Sequence, residues 1–266
     1  MSNTVYSNFY LANEIEDLYA SKLALQNFVT VRNDLVGRPG MDYVVNKYTA
    51  TSGAEVVTKG NGNTKDVAVS YTPATYTIKC VQARAPFYDE EALTDPFAIQ
   101  VLNEKLAADM FDAVNGDIYT EQLTASTTIQ VSTPDFNAFV DAQASMNLEN
   151  LENTYMYAVV APADVAKIRK AAGASLQYVE QFVRQGYVGT LAGVQILTKK
   201  DATPGTIVVA TPQAVTLFNK SGVEVEPVVN GNRSIADANT RSNTIYARKY
   251  YVAALTDDSK IALITF

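Results

Sequence analysis

Few residues in this 266-residue chain have the types and spacing to do chemistry. Asp109 and Asp112 stand three positions apart, a spacing that puts two carboxylates on one face of a helix. A carboxylate pair is a beginning for acid–base work, but the sequence sets no nucleophile, base or third ligand beside it. Asp89, Glu90 and Glu91 form a second acidic run. It precedes helical sequence, where negative charge is favourable, and no second cluster stands at informative metal-ligand spacing. GNGNTK, residues 60–65, has glycines and a lysine. A phosphate loop needs G-x-x-x-x-G-K-[ST] leading into a helix, and only G-x-G is present, so the segment reads as a turn. Cys80 is the single cysteine and permits no internal disulfide framework. Histidine is absent altogether. That removes the usual general base near neutral pH and the commonest zinc ligand. The expectation is a chain with no catalytic, cofactor-binding or metal residues, and not an enzyme.

Composition narrows the class further. An apolar content of 47% excludes general disorder, and the length allows one real core or two smaller ones. No run reaches the ~18 apolar residues a membrane helix needs. The opening MSNTVYSNFYLANEIEDLY has neither a basic nor an apolar stretch of the kind a secretory signal requires. Lysine and arginine total 21 against 28 acids, a formal charge of −7, which argues against tight binding to nucleic-acid phosphates. Lys22 and Arg32 are too few to make the N-terminal part a basic arm. The 16 tyrosines, with no tryptophan, suit interfaces as well as cores.

The elements follow from periodicity. Asp95–Gln122 reads as one long helix, with Asp95 as N-cap and Pro96 at the first helical position. Leu102, Leu106 and Met110 recur at four-residue spacing, widened by Phe97, Ile99, Ala113, Val114 and Ile118. Gly116 is expected near its end. Asn13–Gln26 fits an amphipathic helix. Tyr43–Ala50 and Glu55–Thr58 read as strand pieces, with Val67–Tyr71 and Thr75–Gln82 as their return partners around the GNGNTK turn. This ribbon is long and polar, and has too few apolar residues to be core, so it should project and lie on something else. A second helix is expected from Thr133-Pro134-Asp135 to about Leu148, with Phe136, Phe139, Val140 and Met146 as its apolar residues. YMYAVV, residues 155–160, reads as a strand buried on both faces. A third helix starts at Ala161–Asp164, turns Val165 and Ile168 inward, and ends at Gly173. Strands follow at Val194–Thr198 and Thr206–Ala210, with Ala214–Phe218 ambiguous. Val223–Val229 should be an edge strand because of Pro227. Asn243–Leu255 and Lys260–Phe266 read as a closing pair.

In this order the elements resemble tailed-bacteriophage major capsid proteins of the Hong Kong 97 type. The resemblance rests on the N-terminal helical arm, the hairpin followed by APFYDEEAL, and the long helix with Asp112 and Asn115-Gly116. It continues in GYVGTLAGVQILTKK, VEVEPVVNGN and the closing ARKYYVAALTDDSKIALITF. It covers essentially the whole chain, and no one motif is diagnostic. What it implies is an α+β Hong Kong 97-like fold: an N-terminal arm at 1–42, an extended hairpin loop at 43–83 and a peripheral domain with spine helix at 84–129. An α/β axial domain would occupy 130–230, and return strands of the peripheral domain 231–266. Also implied is self-assembly as hexamers and pentamers into an icosahedral shell around double-stranded DNA, without sequence-specific binding and without a membrane. Portal protein and a separate scaffolding protein are the expected partners, and the location is the virion, assembled in a bacterial cytoplasm. Lys59, Lys65 and Lys79 lie in the loop but are expected to serve solubility, not crosslinking. An encapsulin-like nanocompartment shell has the same fold and is the alternative. A soluble enzyme using acidic residues is the rival from another class.

Overall fold

The computed structural model describes residues 25–94, 98–149, 154–175, 189–229 and 232–266. The expected helix at Asn13–Gln26 lies outside these residues up to position 24, as do the Asp95-Pro96 cap, residues 178–188 of the glycine-spaced stretch, and Asn230-Gly231. A 3-10 turn at Leu25–Phe28 leads into β1 (Thr30–Arg32), β2 (Asp42–Ala50), β3 (Val69–Thr77) and β4 (Lys79–Tyr88). Helices α1 (Asp89–Thr94) and α2 (Ala98–Gln122) follow, then β5 (Thr128–Gln130), α3 (Phe136–Ser145), β6 (Met156–Val160) and α4 (Pro162–Ser175). Next come β7 (Thr190–Leu191), β8 (Val194–Thr198), β9 (Thr206–Ala210) and β10 (Val215–Asn219). The chain closes through β11 (Glu224–Val228), α5 (Ile235–Thr240), β12 (Ser242–Leu255) and β13 (Ile261–Thr265).

Helix α2 organises the core. Its 25 residues span roughly 37 Å at ~1.5 Å each. Leu106, Ala107 and Met110 are buried against Ala85, Ile245 and Ala247 of the five-stranded sheet and against Val223, just before β11. Further along, Phe111, Val114, Ile118 and Tyr119 are buried in a second cluster shared by both large sheets. The helix passes through Gly116 because Ile118 and Tyr119 still have apolar partners beyond it, which outweighs the ~1 kcal/mol a helical glycine costs. Ala113, expected on the apolar face, is exposed.

The five-stranded sheet is built on β12. β4 and β11 flank its first part antiparallel, β10 flanks its end, and β1 lies parallel to β10. Burial alternates along Ser242–Tyr250, as a strand with one covered face requires. Pro227 sits in β11, whose one partner strand is β12, so the missing N–H falls on an edge. The six-stranded sheet runs β5-β13-β9-β6-β8-β7. All five β6 residues are buried. Met156, Ala158 and Val160 pack with Phe139 and Ala142 of α3 and Ile168 of α4. Tyr157 and Val159 point the other way, to the cluster around α2.

Several sequence expectations need correction. β12 and β13 are not a closing pair: β12 joins the five-stranded sheet and β13 pairs with β9 and β5. Residues 79–82 are not the hairpin's return arm, because β3 stops at Thr77 and β4 pairs with β12 instead. Residues 55–58 are not strand. Helix α3 is shorter than expected, capped at Asp135, whose carboxylate accepts the Ala138 N–H. Phe139 and Met146 are buried, whereas Phe136 and Val140 are exposed. Helix α4 continues past Gly173 to Ser175. The ambiguous Ala214–Phe218 is strand β10, displaced by one residue.

Candidate assembly interface

Strands β2 and β3 form a two-stranded sheet of their own. Nine residue pairs run from Asp42↔Thr77 to Ala50↔Val69, a ribbon roughly 30 Å long at ~3.4 Å per residue. Its root belongs to the body. The Tyr43 ring lies 4.7 Å from that of Phe218, and the Tyr76 hydroxyl donates to the Leu255 carbonyl. Val45 packs with them against Leu35, Ile78, Val252 and Ala254. Ile78 separates β3 from β4, is buried, and donates its N–H to the Met41 carbonyl at 2.6 Å. On the other arm Gly40 has φ +104°, a conformation that a side chain would strain. The Lys220 ammonium donates to the Gly40 carbonyl and, at 3.2 Å, to that of Arg38.

Beyond the root the ribbon stands free. Tyr48 and Tyr71 face each other across the strands, ring centroids 6.2 Å apart, and are 68% and 64% exposed. Val44 and Val69 are 51% and 61% exposed. An isolated two-stranded ribbon is marginal in water, so such an element is completed by a surface outside itself. Residues 51–68 close on themselves at the tip. Thr51 and Ala68 exchange hydrogen bonds, and the Asn63 amide donates to the Gly53 carbonyl. A Cβ on Gly53 would lie 2.6 Å from Val67, so this close approach requires glycine.

The sequence candidates for chemistry are dispersed. Asp109 pairs with Lys105 at 2.5 Å on the exposed side of α2. Asp112 instead borders a cleft of about 200 Å³ with Phe28, Phe111, Asn115, Lys199 and Asp201. The two carboxylates do not form a site. The acidic run is a tie between elements. Asp89 accepts from Arg233 at 2.5 Å and Asn243 at 2.6 Å, and these hydrogen bonds hold its carboxyl below the usual range. Glu91 accepts the Tyr88 N–H. In the tip, Glu55 accepts the Thr64 N–H and hydroxyl, bonds that lower its pKa. An acid placed there repels a phosphate. Lys79 reaches Asp117 of α2 at 2.9 Å, while Lys59 and Lys65 are exposed at the tip. Cys80 is exposed on β4. No group of three metal-ligating residues converges among the described residues.

Sequence reasoning gave no warning of Asp164. It is fully buried at the start of α4, accepts the Gly205 N–H at 2.7 Å, and pairs with Lys167 at 2.9 Å. The sequence marks it only as part of a helix start, because its partner loop lies 41 residues away.

No family model matches the chain. It is 25% identical over 262 residues to the "Major capsid protein" of Staphylococcus phage phiMR11, covering 96% of this chain and 91% of that relative. Among solved structures it superposes on a virus-like particle from Pyrococcus furiosus with TM-score 0.67 and 12% identity, over 98% of this chain and 100% of the other. A Mycobacterium phage Che8 structure matches with TM-score 0.63 and 18% identity, over 87% and 89%. At these identities the superpositions speak to fold alone, an α+β fold with mixed sheets and several helices. The chain thus has a Hong Kong 97-like fold and is similar over nearly its whole length to a phage major capsid protein.

Proposed function

We propose that this protein is a major capsid protein whose copies assemble as hexamers and pentamers into an icosahedral shell enclosing double-stranded DNA. The observation that carries the reading is the free-standing β2–β3 ribbon on a body that otherwise matches a phage major capsid protein over nearly its whole length. The role is structural, not enzymatic. In this reading the five-stranded sheet with α2 is the peripheral domain and the six-stranded sheet with α3 and α4 is the axial domain. Portal protein and a separate scaffolding protein are its further partners, and assembly takes place in the cytoplasm of a bacterial host. A charge of −7 per subunit suits confinement of DNA rather than affinity for it, since a closed wall needs no attraction.

The likeness to a virus-like particle supports a nanocompartment shell as the second reading. Contents separate the two: nucleic acid in a capsid, a protein cargo in a compartment. Electron microscopy of the purified chain tests both, with closed icosahedral particles expected. Uniform monomers under every assembly condition refute both. Replacing residues 51–68 with a short Gly-Ser turn should leave a folded subunit and abolish particles, and normal particles from that variant would make the hairpin tip a decoration.

A further inference from the structure

We infer that the hairpin root is a proton-operated joint, in which Glu121 of α2 seats the ribbon on the spine helix when protonated and loosens it when ionised. The inference concerns the single subunit and does not depend on the shell reading. In an antiparallel pair, residues directly opposite share a face, and successive pairs alternate. The register therefore puts Tyr43↔Tyr76, Val45↔Ala74 and Lys47↔Thr72 on one side of the ribbon. Tyr43, Val45 and Tyr76 pack on the subunit's own body, so this is the body side. Lys47 is the last half-buried residue of β2 on that side and the one cation among strand residues 42–50 and 69–77. The ribbon leaves the body through two connections, at Met41 and at Ile78, and a tilt about them uncovers what lies beneath the body side.

Glu121 lies there, half-buried in the last turn of α2. Each element around it brings a titratable or charged group. From α2 comes Asp117, one turn back, from β2 Lys47, from β3 Tyr76 and from β4 Lys79. β12 adds Tyr251, whose hydroxyl donates to Asp117, and the buried Lys249 on the same face. Compensation for the Glu121 charge is short. The Lys79 ammonium is already engaged by Asp117 at 2.9 Å, and Asp117 is a like charge at helical-neighbour spacing. Lys47 remains, and it sits on the movable side. Covering a carboxylate without full pairing disfavours the covered state, whereas the neutral acid escapes most of that penalty. Burial accordingly outweighs Lys79 and Lys47 and pushes the Glu121 carboxyl up. Burial, then the Glu121 charge, pushes the Tyr76 hydroxyl up as well. Tilting the ribbon outward returns water to Glu121 and favours its ionised form. By linkage, the state that holds a carboxyl higher gains as the pH falls. That state is the seated ribbon, and the ribbon is looser near neutral pH.

Pulsed electron paramagnetic resonance on the unassembled subunit tests this. Spin labels are placed at Ser70→Cys on the ribbon and Ala113→Cys on the exposed side of α2, in a Cys80→Ser background. The ratio of seated to displaced ribbons should rise by about two- to fivefold from neutral pH to below the Glu121 titration, the effect of one partly screened charge. Glu121→Gln should give the acid distribution already at neutral pH, with no further change on acidification. Lys47→Met should displace more ribbons at neutral pH and have little effect in acid, while Lys47→Arg should behave as the unchanged chain does. Asp117→Asn frees Lys79 for Glu121 and should move the transition to lower pH, a shift that lost packing alone would not produce. A ratio independent of pH, or one that still titrates in Glu121→Gln, overturns the inference. So does a ratio that falls on acidification, which would make Glu121 and Lys47 an attractive latch. No particle is involved, so the shell reading stands or falls separately, by electron microscopy.

Discussion

Leu106 sits where the spine helix meets the five-stranded sheet and is 3% exposed. Truncating it to alanine removes three buried carbons between Met110, Ala85, Ile245 and Ala247. Leucine-to-alanine changes in cores cost about 2–5 kcal/mol, the larger values where neighbours cannot collapse into the space. Here the facing residues include the alanines of paired strands, which have little side chain to swing inward. The expected loss is therefore about 3–4 kcal/mol, a large part of the ~5–15 kcal/mol that holds a typical domain. At ~2–4 °C per kcal/mol for a chain near this size, Tm falls by roughly 6–16 °C. Urea unfolding of the unassembled subunit, followed by circular dichroism, measures this without the added stability that assembly supplies. Val140→Ala, on the exposed side of α3, is the control and should change stability by no more than about 0.5 kcal/mol. A Leu106→Ala loss under about 1 kcal/mol at unchanged urea dependence would refute the packing assigned to this helix face. Leu106→Asp provides a sharper version, because it puts a charge in the apolar layer and should yield no folded subunit. A soluble, cooperatively folded Leu106→Asp monomer would show that Leu106 faces solvent or a partner.

Two further outcomes concern a buried and a half-buried polar group near the end of the same helix. The Gln122 amide donates to the Tyr157 hydroxyl at 2.8 Å, and both side chains are fully buried. Tyr157→Phe strands that amide and should cost about 1–3 kcal/mol in urea unfolding, most of it recovered by adding Gln122→Met. Burial pushes the Glu121 carboxyl up, with Asp117 adding to the shift and Lys79 and Lys47 opposing it. A carboxyl raised on folding contributes stability while protonated and loses it as pH rises through its folded value. Glu121→Gln should therefore raise Tm near neutral pH, with a gain that shrinks as the solution is acidified through the carboxylate range. An equal gain at every pH would refute the titration assigned to Glu121.

What the sequence made legible was local periodicity. Leu106 and Met110 lie one helical turn apart, and Met156–Val160 is uniformly apolar, so their burial follows from pattern. GNGNTK marked the hairpin tip because glycine and asparagine tolerate turn backbone. Pairing between distant strands leaves no such mark. β12 and β13 both look like half-buried or buried strands, and the three-residue 3-10 turn between them, Asp258–Lys260, resembles a hairpin connection. Which sheet each one joins depends on β9 and β4, far away in sequence. The break at Ile78 was hidden for a related reason: TIKCVQA continues one alternating run, and only its change of partner, from β2 to β12, ends β3. The Tyr48–Tyr71 pair was also out of reach. Tyr48 and Tyr71 meet only once the register is fixed, and a shift of one residue would put them on opposite faces.

The two ends of the ribbon root explain why folding and association can be perturbed separately. Ile78 and Tyr43 are packed with Phe218 and Val252, so the root is part of the subunit core. Past Val45 and Ala74 the ribbon has cross-strand bonds but little body beneath it. Changes at Tyr48 or Tyr71 remove a cross-strand ring contact and nothing of the core, and should lower the subunit's unfolding free energy by no more than about 1 kcal/mol. Changes at Leu106 do the reverse. A subunit that must fold before it has neighbours needs a core independent of its docking element. A docking element without a core of its own stays uncommitted until the neighbour arrives. The neutral charge of the ribbon completes this division. The acidic body repels its like by a force that salt screens over ~8–10 Å, and the neutral ribbon adds nothing to that repulsion.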